Sequence, residues 1–106
     1  MEFECNGAKW KIKIVDEATI NNEVKDDNTV GLSKYREQEI LIERSQKNII
    51  KTLKHELMHV WLYEYGHNQE EDVKYGVEEI CEIVASSNKF INEIIDKFKE
   101  WVYKNK

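Results

Sequence analysis

Apolar and polar residues alternate from Trp10 to Val15 (Trp-Lys-Ile-Lys-Ile-Val), the period-two pattern of a half-buried strand. Val30 to Tyr35 and Glu39 to Glu43 read as two more short strands. The polar residues Arg36, Glu37 and Gln38 between them form a turn that makes the pair a hairpin. Ile40, Leu41 and Ile42 are consecutive apolar residues, which predicts a strand covered on both faces. Ile20 to Asn28 is polar and reads as a loop.

Beyond Glu43 the period changes. Ile49, Ile50, Leu53, Leu57, Val60 and Trp61 recur at helical spacing, which predicts a helix over Gln46 to Tyr65, capped by Ser45 and stopped by Gly66. His67 to Asp72 is a polar connection. A second helical segment runs over Val73 to Ala85, through Val77, Ile80, Cys81 and Val84. A third runs over Phe90 to Tyr103, with Ile91, Ile94, Ile95, Phe98 and Val102 on one face, and Ser86, Ser87 and Asn88 are expected to break or bend the chain between the two. Strands first and helices after is an α+β order.

The 106 residues form one expected domain, 1–106, with neither linker nor repeat. Hydrophobic residues make up 41% and charged residues 35%, a balance that suits a folded globule. The net charge of -5 and the absence of a basic stripe argue against direct nucleic-acid binding. Lys97, Lys99, Lys104 and Lys106 read as a solvated last helical stretch whose charges suit the helix dipole. No apolar run approaches the roughly 20 residues that span a bilayer, and Met1 to Lys11 mixes charges with apolar residues, so no membrane association and a cytoplasmic location are expected. Cys5 and Cys81, far apart, then read as free thiols.

The candidate chemistry lies inside the helix that follows Ser45. His55-Glu56-Leu57-Met58-His59 is an H-E-x-x-H motif. Residues four apart on a helix are separated by about 40° of rotation and roughly 6 Å of rise, so both imidazoles project from one face. That spacing lets them reach a single zinc ion, with Glu56 beside them to accept a proton from metal-bound water and pass it to a leaving amine. Catalytic zinc needs a third protein ligand. Tyr65 and Leu62 occupy the positions where the metzincin pattern has histidine and glycine, which excludes that class. His67 lies eight residues past His59, beyond Gly66, a spacing with no geometric support. The stronger candidates are carboxylates on the next helix, Glu78 first, with Glu79 and Glu82 as alternatives. Glu78 and Glu82, four apart, suit a ligand and a neighbour that orients a histidine's other nitrogen. Cys81 reads as core.

These features resemble the gluzincin-type metallopeptidases of the ImmA/IrrE kind, and more narrowly their small stand-alone forms in Gram-positive bacteria and phages. The similarity covers Trp10 to Val15, Val30-Gly31-Leu32, Glu39 to Glu43, Thr52 to His59 and Val77 to Ala85. The family's downstream Glu, with Asp or Asn four residues on and an apolar pair ending in Ala, maps onto Glu78, Glu82 and Ile83-Val84-Ala85. Glu82 stands in the Asp/Asn position, and Val77 replaces the usual asparagine. The resemblance implies a small twisted antiparallel sheet packed on the motif helix, a Zn2+ cofactor and a zinc endopeptidase acting on a protein or peptide substrate. That substrate is expected to add as a strand along Glu39 to Glu43. The alternative is a non-catalytic zinc-containing protein-binding module in phage or mobile-element regulation. No residue is assigned to stabilise the oxyanion; Tyr63, Tyr65 and Tyr75 are near the motif in sequence only.

Overall fold

The computed structural model describes residues 1–24 and 29–105. Its elements are β1 (Glu2–Cys5), β2 (Ala8–Val15), α1 (Glu17–Val24), β3 (Gly31–Lys34), β4 (Glu39–Glu43), α2 (Ile49–Glu64) and α3 (Val77–Lys104). The four strands form one sheet in the order β1-β2-β4-β3. β1 and β2 make an antiparallel hairpin that turns on Asn6 and Gly7, whose φ values of 50° and 83° suit a tight two-residue turn. β4 pairs antiparallel with β3 but parallel with β2, Ile12 opposite Ile40 and Ile14 opposite Ile42. The sheet is therefore mixed, where an antiparallel one was expected. The cause is α1, which carries the chain across the sheet after β2, so that the β3–β4 hairpin returns with β4 running alongside β2.

That helix replaces part of the expected loop over Ile20 to Asn28; residues 25–28 lie outside the described chain. α1 carries little apolar surface and buries only Ile20 among its residues. Its start is marked by Asp16, whose Oδ1 accepts the Thr19 N–H at 2.8 Å.

The β2 alternation puts Trp10 and Ile12 into the core with Phe3, Ile40 and Ile42, under Leu53, Leu57 and Val60 of α2 and Ile94 and Phe98 of α3. Leu41 points to the other face and is also buried, on the side where α1 packs against β4. The apolar run Ile40-Leu41-Ile42 is thus covered on both faces, as expected.

α2 begins later than expected, at Ile49, with Asn48 at its cap. Ser45 instead donates its N–H and Oγ to Glu43 Oε1, both at 2.8 Å. Gln46 ties the carbonyls of Val30 and Glu43 together through its amide nitrogen. These residues splice the sheet to the helix rather than starting it. At the other end Gly66 (φ 77°) closes α2: His67 N–H bonds the Leu62 carbonyl and Gly66 N–H the Tyr63 carbonyl, a paired glycine termination.

α3 starts at Val77, not Val73, and runs unbroken through Ser86-Ser87-Asn88. No glycine or proline interrupts it, and the Ser87 hydroxyl donates back to the Val84 carbonyl, a bond that a helix tolerates. Twenty-eight residues make a rod about 42 Å long, matching the longest dimension of the molecule, 40 Å. Its far half packs on the core. Its first turns do not: Val77, Ile80 and Val84 are exposed by 75%, 50% and 52%. No described helix is long and apolar enough to cross a membrane.

Candidate metal centre

His55 and His59 project from the solvent side of α2, opposite the stripe of Leu53, Leu57 and Val60 that holds the helix on the sheet. Their rings lie 4.8 Å apart, and their Nε2 atoms are 3.2 Å apart. Two nitrogens each 2.0–2.1 Å from a tetrahedral zinc ion are separated by about 3.3 Å, so the pair has the spacing that one zinc requires.

Gln69 defines the state of His59. Its Oε1 lies 2.6 Å from His59 Nδ1, while its Nε2 donates to the His59 carbonyl at 3.2 Å. The second bond fixes which end of the amide faces the ring, so Nδ1 carries the proton and donates it. The lone pair is then on Nε2, the atom turned toward His55, which is the tautomer a metal needs.

Glu56 points toward the sheet and is 8% exposed. Ser33 Oγ donates to its Oε1 at 2.8 Å. Gly31 permits this approach: a Cβ there would stand 2.5 Å from Thr52 Cγ2 and 3.2 Å from Glu56 Cγ. In a strand, residues two apart share a face, so Gly31, Ser33 and Tyr35 all present themselves to α2. Tyr35 stacks on Tyr63 at 4.6 Å. Burial, and after it the charge of Glu56, raises its phenol above the ordinary value, so it stays protonated at neutral pH.

The carboxylates of α3 do not join the pair. Glu78, Glu79 and Glu82 are exposed. Glu78 precedes the buried Ser87 by nine residues, about 900° of rotation, so it leaves α3 on the side opposite the core stripe. Glu79 Oε1 caps the Gly76 N–H at 3.4 Å, and Glu82 Oε1 accepts from Ser86 Oγ at 3.2 Å. Among the described residues no three His, Cys, Asp or Glu side chains are gathered around one metal position. The spacing of the histidine pair suits zinc, while Glu78, the expected third ligand, stands apart from it. Cys81, read as core, is exposed. His67 stacks on Trp61 at 5.4 Å and against Tyr75, away from the pair. Tyr65 lies on Trp61.

The structure brings His55 and His59 together on one face of α2 with Glu56 turned to the sheet beside them, and around them stand Gln69, Ser33 and Tyr35, which the sequence pattern did not single out. The last two were recoverable from the alternation of β3 once it is placed beside α2. Nothing in the run His67 to Asp72 singles out Gln69, because its role depends on the path of the loop.

β4, expected to offer a free edge, is paired on both sides. The strand edge beside the motif belongs to β3. An open cavity of about 610 Å³ lies between the Thr29–Gly31 segment and the start of α2, with His55 and Glu56 in its wall. Compared with family profiles, characterised proteins and solved structures, the chain matches none.

Proposed function

We propose that the protein is a zinc-dependent endopeptidase, with His55 and His59 as metal ligands, Glu78 as the third, and Glu56 as the general base and acid. The observation that carries this reading is the 3.2 Å spacing of the two Nε2 atoms, with Glu56 in the wall of the same cavity. Zinc, when bound, supplies a Lewis acid and lowers the pKa of coordinated water to roughly 7.

The protein's own groups do the rest. Gln69 keeps His59 in the ligating tautomer. Ser33 holds one oxygen of Glu56, which leaves the other to take a proton from the attacking water as its oxygen adds to the peptide carbonyl. Glu56 returns that proton to the amine as the C–N bond breaks. An extended substrate adds along the outer edge of β3, with its backbone held by strand pairing while the scissile bond lies over the motif. Tyr35, protonated and near Glu56, is the phenol best placed to donate to the carbonyl oxygen. Engagement of Glu78 requires the first turns of α3 to reorient.

Substrate trapping tests the reading. Zinc-loaded Glu56→Gln, used as bait, is expected to retain a protein that the parent enzyme cleaves into two fragments. A variant that keeps zinc and still cleaves as fast as the parent would contradict the role of Glu56.

A further inference from the structure

The cavity beside the motif extends past the reacting groups. From His55 and Glu56 it runs back along α2, past Thr52 and Lys51, to Asn48 and Lys47 at the helix start. Lys47, Lys51, His55 and His59 follow one another at four-residue intervals, so Lys51 stands one turn, roughly 6 Å, from His55. That is the distance covered by about two residues of an extended peptide. Among the described residues, Glu56 is the one carboxylate lining the cavity, and neither lysine is ion-paired. α2 has no acidic residue in its first turn to offset the positive end of its dipole. Among the described residues this wall is positive on a chain whose net charge is -5, so its sign does not follow from the overall composition.

We propose that this arm of the cavity is a specificity subsite for an acidic side chain, aspartate or glutamate, lying within about three residues of the scissile bond, with Lys51 as its main contact and Lys47 behind it. The proposal rests on the peptidase reading for the position of that bond. The binding preference itself needs only the cavity and its lysines. Two long, exposed cations beside a cleft attract a carboxylate at modest cost, and they add orientation, because the substrate can dock its acidic residue on one side of the metal position only.

Two measurements keep the subsite and the peptidase reading separable. Zinc-loaded Glu56→Gln is titrated, by fluorescence anisotropy at low salt, against two labelled pools of random octapeptides, one with a fixed central glutamate and one with glutamine in its place. The glutamate pool is expected to bind about five- to tenfold more tightly. Lys51→Glu in the same background should abolish or reverse that preference, while Lys97→Glu, on the exposed face of α3, should leave it unchanged. In parallel, the enzyme with intact Glu56 digests an unlabelled peptide library, and mass spectrometry reads the residues flanking each cut.

Enrichment of Asp or Glu at one fixed position, lost in Lys51→Glu, supports both ideas. A glutamate preference without any cleavage supports the subsite and contradicts the peptidase. Cleavage with no acidic preference, or equal effects of Lys51→Glu and Lys97→Glu on binding, overturns the subsite and leaves the peptidase standing. Equal binding of both pools without cleavage overturns both.

Discussion

Three residues outside the motif do most to shape it. Gln69 matters because an imidazole has two tautomers and only one presents Nε2 to a metal. Its amide makes one bond to the ring and one to the backbone, which fixes the choice. Gln69→Ala is expected to weaken zinc binding about 10- to 100-fold, measured by competition with a chelating dye, and Gln69→Glu to restore most of it. Unchanged affinity in Gln69→Ala would show that the bond is incidental. Gly31 matters for space. Gly31→Ala drives a methyl into Thr52 and Glu56, and overpacking of this kind typically costs about 1–3 kcal/mol. The Tm should fall, and Thr52→Ser, which removes the Cγ2 that is struck first, should recover part of the loss. Ser33 completes the set by donating to Glu56 from a strand rather than from a loop.

At the scale of elements, what was legible depended on how much apolar surface each one buries. β2, β4 and α2 announce themselves, because their buried residues recur at strict periods. α1 does not: one buried isoleucine in a polar stretch gives no period to read. The parallel pairing of β2 with β4 was hidden for the same reason, since it follows from α1. In α3 the serines looked like a break, but their hydroxyls are satisfied within the helix. That continuity sends Glu78 out on the side opposite the core stripe and leaves Val77, Ile80 and Val84 at least half exposed. The three residues that define the motif were legible because a four-residue interval on a helix has only one geometry. Their supports were harder to read, because Ser33 shows itself only once β3 is placed beside α2, and Gln69 sits in a loop whose path the sequence does not announce. If Glu78 is the third ligand, zinc should raise hydrogen-exchange protection across residues 77–85, and Glu78→Gln should remove that increase while Glu79→Gln retains it. Protection unaltered by zinc would take Glu78 out of the ligand set.

For the whole molecule, the carboxylates with hydrogen-bond or ion-pair partners set the acid limit of stability. Glu39 is held below the ordinary carboxylate range by its bond to Lys13 at 2.5 Å, and Glu43 by the N–H and hydroxyl of Ser45. Asp16 and Glu100 are lowered by Thr19 and Lys104. Each group binds its proton less readily folded than unfolded. Its contribution is complete above the ordinary carboxylate pKa of about 4 and disappears as pH falls through the lowered folded value. Thermal melts should therefore hold steady from pH 7 to about 5 and decline below it, with a shallower decline in Lys13→Met.

All of these effects serve a scaffold that brings two imidazoles to zinc spacing, and the most direct test is to look at the metal. Untagged protein loaded with zinc and examined by X-ray absorption should contain one zinc per chain, with two imidazole nitrogens at about 2.0–2.1 Å and the remaining ligands oxygen. His59→Ala should lose that signature. A protein that takes up no zinc, or a zinc environment that His59→Ala leaves unaltered, would contradict the account.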